Sequence, residues 1–116
     1  MTREQAVEFA KDWAAAWNVR DVERVLAHFD DAVTFTSPTA VAVVGIRTVR
    51  GKAALREYWA FALTKIPDLH FEVLGVYAGV QTLVINYKNQ LGRLVCEVLT
   101  VNERGEVTEG HGTYLS

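Results

Sequence analysis

The apolar positions of this chain change their period part-way along it. Ala6, Phe9, Ala10, Trp13 and Trp17 recur at helical spacing and draw one stripe. Thr2 and Gln5 form a capping-box pattern at its head, so the stripe predicts a helix from there to Asn18-Val19-Arg20. Asp21 can cap a second helix, with Val22, Val25, Leu26 and Phe29 as its stripe and Asp30-Asp31 as its end. Val33 to Thr36 is β-branched and aromatic and reads as a strand. Thr39 to Arg50 holds many valines and Gly45 and reads as a loop with a short strand. Gly51-Lys52 opens a third helix that runs through Leu63, with Leu55, Tyr58, Trp59, Ala62 and Leu63 on or near one face. Pro67 stops it.

From there the period shortens to that of strands. Leu69 to Tyr77, Thr82 to Asn89, Arg93 to Val101 and Glu106 to Leu115 are separated by Gly79, Gly92 and Asn102-Glu103-Arg104-Gly105. Such short connections mean antiparallel pairing. Helices first and strands later predict an α+β fold, three helices packed on one face of a mostly antiparallel sheet. Residues 93–101 place Val95, Glu97, Leu99 and Val101 on one face and Leu94, Cys96, Val98 and Thr100 on the other. Both faces are mostly apolar, and the helices cover only one. A second copy of the chain is the expected cover for the outer face, giving a two-fold homodimer; the alternative is a monomer with a poorly solvated sheet face.

Composition narrows the class. With 116 residues, half of them hydrophobic and 22% charged, the chain is expected to form one domain, 1–116, with a real core. A net charge of -2 without a Lys/Arg cluster gives no nucleic-acid footprint. Apolar runs are too short for a membrane span, and Met1-Thr2-Arg3-Glu4-Gln5 has no apolar leader pattern, so a cytoplasmic location is expected. Cys96, the one cysteine, lies mid-strand and reads as a buried structural thiol rather than a nucleophile. The three histidines lie on separate elements without ligand spacing, so no metal is expected, and no phosphate loop or dinucleotide fingerprint calls for a cofactor.

The series Trp17-Asn18, Asp21, Phe29-Asp30-Asp31-Ala32-Val33, Ser37-Pro38, Gly45, Val49-Arg50-Gly51-Lys52-Ala53-Ala54-Leu55, Pro67-Asp68-Leu69 and Gly105-Glu106-Val107 spans nearly the whole chain. It resembles the nuclear-transport-factor-2-like superfamily, in its SnoaL-like and ketosteroid-isomerase-like branch. The resemblance implies a cone, a cystatin-like α+β arrangement in which a strongly curved sheet wraps three helices around a pocket, and frequent homodimers. It implies no single activity, since such folds host isomerases, cyclases, dehydratases and non-catalytic modules. Ketosteroid isomerases use a strand-end aspartate as proton shuttle, with a tyrosine and a protonated acid as oxyanion donors. By resemblance the base position is Ser37, the tyrosine position Trp13, two supporting tyrosines Phe29 and Trp59, and the buried acid Glu97. A serine hydroxyl takes no proton from carbon at neutral pH without a base of its own, so steroid-type isomerisation is not expected.

Glu97 is the candidate catalytic residue. Among the apolar walls of Val95 and Leu99 its charged form is disfavoured, so it can donate a hydrogen bond while neutral or act as a general acid. The opposing reading pairs it structurally with Arg50 or Arg93. Trp13, Tyr58 and Trp59 form a candidate aromatic clamp, with Phe29 and Phe35 beside them and Trp17 assigned to the core; ordinary packing is the alternative. Tyr87 and Tyr114 are expected to face the pocket, with Gly110 and Gly112 either leaving space beside Tyr114 or bending the sheet. His28 and His70 are expected in solvent, and His111 on the far side of its strand near Glu109. The reading is a protein that binds a small hydrophobic molecule in a central cavity. A SnoaL-like enzyme using Glu97 as general acid/base, and a non-catalytic dimeric interaction module, are the alternatives.

Overall fold

The computed structural model describes residues 1–116. Helix α1 (Arg3–Asn18) starts at the reciprocal cap expected: the Gln5 N–H donates to Thr2 Oγ1 and the Thr2 N–H to Gln5 Oε1. Its buried stripe runs from Ala6 to Trp17. Asp21 caps the short α2 (Val22–Leu26) by accepting from the Arg24 N–H.

Strand β1 (Phe29–Thr36) then begins earlier than the pattern suggested. Phe29 opens the strand rather than closing a helix, and Asp30-Asp31 lies inside it. Phe29 pairs with Val107 in the sheet, and the Asp30 carboxylate folds back to accept the Ala32 N–H. The next segment differs more. Pro38–Val44, read as loop, is a helix, α3. Ser37 accepts the Thr39 N–H as its N-cap, Pro38 opens its first turn, and Gly45 ends it at φ 71°. Those start and stop signals outweigh the weak strand preference of its valines. The short strand expected after it is β2 (Thr48–Arg50), and α4 (Lys52–Lys65) follows. The helices therefore number four.

The remaining strands are β3 (Glu72–Ala78), β4 (Thr82–Lys88), β5 (Leu94–Val101) and β6 (Val107–Tyr114). They join β1 and β2 in one sheet of order β2-β1-β6-β5-β4-β3. Neighbours are antiparallel except β1 and β6, which run parallel. Register shifts in β3 after Val73, in β1 after Phe29 and between β5 and β6 at Thr100 bend the sheet without closing it. Helix α1 lies over β3 and α4 over β1, so the concave face is roofed at both flanks. Val95, Glu97, Leu99 and Val101 of β5 are buried on that face, as parity required. On the convex face Leu94, Cys96, Val98 and Thr100 remain partly open. No helix is long and apolar enough to cross a membrane.

Candidate functional site

Between helices and sheet lies a cavity of about 370 Å³, the size of small-molecule sites. Its walls are aromatic. Trp59 on α4 meets Trp17, Phe29 and Phe35 edge-on, at centroid distances of 5.0, 5.2 and 5.6 Å. Trp13 stacks on Phe71 at 5.3 Å and presents an edge to Tyr87. Every tryptophan of the chain thus lines the cavity, Trp17 included, although its place in the helix stripe pointed to core. Trp13, Trp17 and Trp59 are each at least 95% buried in the core, yet each borders the empty volume.

Glu97 sits at the buried end. It projects inward from β5 and accepts a hydrogen bond on Oε1 from the Tyr87 hydroxyl at 2.9 Å. In register Tyr87 faces Val95 and Glu97 faces Ile85, so the pair is a diagonal neighbour on one sheet face. No arginine reaches Glu97; the structural pairing with Arg50 or Arg93 is not formed, and Arg93 instead lies over the Tyr114 ring at 4.7 Å. Burial pushes the Glu97 carboxyl up to about 7; the Tyr87 hydrogen bond and, more weakly, the charge of His111 oppose the rise. Tyr87 and Tyr58 are also raised, chiefly by burial and next by neighbouring charge, so both remain neutral phenols. Near pH 7 the site therefore offers a carboxyl that exchanges a proton, beside a donor that does not.

Ser37 also borders the cavity, but its oxygen accepts the Thr39 N–H as the cap of α3. A Cβ at Gly112 would stand 3.2 Å from Ser37 Oγ and 3.5 Å from Glu97 Oε1, which brings those two residues to the same spot on β6. No imidazole attends either of them. His111 projects from the other face, as parity indicated, bonded to Thr36 Oγ1 at 2.6 Å and to Glu109 at 2.8 Å. His70 is exposed, but His28 is not free in solvent: it packs on Phe9 and bonds Asp12 at 2.7 Å.

Four expected wall positions do not border the cavity: Val95, Leu99, Gly110 and Gly112. Val95 and Leu99 are buried behind the lining, and Gly110 does not leave room for a ligand. A Cβ at Gly110 would lie 3.0 Å from both Leu99 and Phe35, so those side chains already fill the space. Gly112 is likewise backed by Ser37 and Glu97. Trp13, Phe29, Phe35, Ser37, Tyr58, Trp59, Tyr87, Glu97 and Tyr114 all border the cavity.

The sequence pattern missed two parts of the site. Phe71 precedes β3, and its backbone is fixed by Asn18, whose side chain donates to the Phe71 carbonyl and accepts from the Phe71 N–H. The exposed mouth was also missed: Lys65 at the end of α4, Asp68 beyond it, and residues 89–93 between β4 and β5.

A family model for the SnoaL-like domain matches residues 10–111. The chain belongs to the SnoaL-like family. Among solved structures it is similar to a SnoaL-like protein of unknown function from Burkholderia thailandensis, with 35% identity over 100% of this chain and 99% of the other, at a TM-score of 0.92. TerC, crystallised with polyporic acid, shares the fold at a TM-score of 0.79 and 17% identity, over 96% of this chain and 92% of that one. So does a proposed isomerase of the SnoaL-like family from Agrobacterium tumefaciens, at a TM-score of 0.77 and 17% identity, over 97% and 99% of the two chains. No curated protein matches the chain. Other fold neighbours carry nuclear-transport-factor-2-like and cystatin-like descriptions, in keeping with the curved α+β sheet of this SnoaL-like domain.

Proposed function

We propose that this SnoaL-like domain binds a small, flat, hydrophobic molecule that carries a hydrogen-bond acceptor, held between the tryptophans and met by the neutral Glu97 carboxyl. One observation carries the reading. Glu97 is 8% exposed, faces an aromatic-walled cavity, and has a phenol rather than a cation as its partner. A buried acid without a counter-charge is stable as a donor, and a ligand oxygen would complete it. The aryl ketone 2-acetonaphthone is a suitable probe, with 2-ethylnaphthalene as the same body without the acceptor. Both are expected to shift the indole N–H signals of Trp13, Trp17 and Trp59 in NMR titrations. The ketone is expected to bind more weakly above pH 7 and the hydrocarbon equally at all pH values. Indole signals unmoved by either probe would sink the reading.

A carboxyl raised to about 7 also suits a proton shuttle, which favours a SnoaL-like enzyme as the second reading. Glu97 would then move the proton, and Tyr87 would hold its oxygen in place. Turnover abolished in Glu97→Gln, with probe binding retained, distinguishes catalysis from binding alone. The convex sheet face, with Val84 and Val98 half-buried and Tyr77 61% exposed, is the surface we assign to a second copy of the chain. Sedimentation velocity of Val98→Arg against the parent protein tests that assignment, a smaller species being the expected result.

A further inference from the structure

The mouth of the cavity is built differently from its interior. The turn after β4 is held from within: Asn89 Oδ1 accepts both the Leu91 N–H and the Arg93 N–H at 3.0 Å, and the Gly92 N–H donates to the Asn89 carbonyl at 2.9 Å. This fixes three side chains over the opening. Leu91 is an apolar residue left 72% exposed at the rim. Gln90 lines the cavity with an amide oxygen that is buried and has no hydrogen-bond partner. Arg93 forms no ion pair; its guanidinium lies over the Tyr114 ring, and the Tyr114 hydroxyl is itself hydrogen-bonded to Thr39. Lys65, the other cation of the rim, rests over Phe61, outside the lining. Asp68 is the rim's carboxylate and pairs with neither cation.

An orphaned acceptor and an unpaired, ring-stacked guanidinium on one rigid turn are complementary to a group that is anionic and carries a donor beside it. We propose that the mouth recognises the carboxylate end of an aromatic acid, with Arg93 as its ion partner, Gln90 accepting from an adjacent hydroxyl or N–H, and Leu91 covering the ring. This rests on the ligand reading above and names its chemical class. The ligand lies with its anion outward, because the buried end holds no cation to offset the desolvation of a carboxylate. Its opposite, uncharged acceptor then reaches the Glu97 carboxyl. Arg93 acts here on binding and orientation, not on the chemistry of any step.

The test uses two probes of one size, 6-acetyl-3-hydroxy-2-naphthoate and 6-acetyl-3-hydroxy-2-naphthamide, both with the adjacent hydroxyl for Gln90, titrated by calorimetry into the parent protein and Arg93→Gln at pH 6.5. The parent is expected to prefer the carboxylate by about five- to tenfold, as a partly exposed charged hydrogen bond allows. The preference is expected to shrink with added salt. Arg93→Gln is expected to bring the two probes level while leaving the amide's affinity in place, and Lys65→Gln is expected to keep most of the preference. Equal binding of both probes to the parent, or an undiminished preference in Arg93→Gln, would overturn the assignment of the mouth while leaving the cavity reading standing. Failure of both probes to bind would overturn the mouth assignment and the cavity reading together.

Discussion

The Tyr87 hydroxyl and the Glu97 carboxylate, ten residues apart along the chain, meet at 2.9 Å across neighbouring strands inside the cavity. The relationship has two sides. Burial favours the neutral acid, whereas the phenol donor favours the anion. Burial is the larger effect, and the balance falls near neutrality.

Stability should therefore fall as pH rises. An unfolded Glu97 loses its proton near 4.5 and the folded one near 7, so between these values the folded state binds the extra proton. Its contribution is fully present below 4.5, declines through that window and is gone above it, a loss of up to about 3 kcal/mol. Urea unfolding of Glu97→Gln at a series of pH values should show this slope removed and the variant more stable than the parent at pH 8.

Tyr87→Phe removes the one bond that favours the Glu97 anion and keeps the ring against Trp13 and Phe71. The Glu97 carboxyl should then titrate higher still, read by the pH dependence of its side-chain carbon signal. Weak ketone binding at alkaline pH should recover in the same direction. An unchanged titration would show that Tyr87 does not govern the acid.

Gly110→Ala should destabilise the fold by crowding the back of one cavity wall. The added methyl would press on Leu99, 1% exposed, and Phe35, 5% exposed, so both would have to shift. Overpacking of this kind costs about 1–3 kcal/mol. Thermal unfolding should show the loss, and a displaced Phe35 should lower probe affinity with it.

Asn18→Ala should loosen one wall. It leaves the N–H and carbonyl of Phe71 without their partners, at a cost of about 1–3 kcal/mol. Phe71 is the ring on which Trp13 stacks, so probe affinity should fall together with stability. Asn18→Asp keeps the acceptor and loses the donor, and should fall between the two.

Much of this was open to a reader of the chain because its cause is local. The Thr2–Gln5 cap, the α1 stripe and the alternation that turns Glu97 inward all lie within a few residues. Ser37-Pro38 and Gly45 were equally local, and β-branched valines between them masked a helix that its two ends define. What stayed hidden was set by distance. Phe71 becomes a wall through a residue 53 positions away, and Gly110 is filled by neighbours from two other strands. The mouth depends on a turn whose side chain bonds only to its own backbone, a pattern that carries no hydrophobic period.

The parallel contact between β1 and β6 has a kinetic consequence. The strand at residues 29–36 finds its neighbour only at residues 107–114, the last element of the sheet. That long loop must close before the β2-β1 pair joins the other four strands, so this pairing is expected to be among the slow steps of folding. The hollow would then be completed only after β6 had docked, and a guest molecule would have no finished site until residues 107–114 had been made.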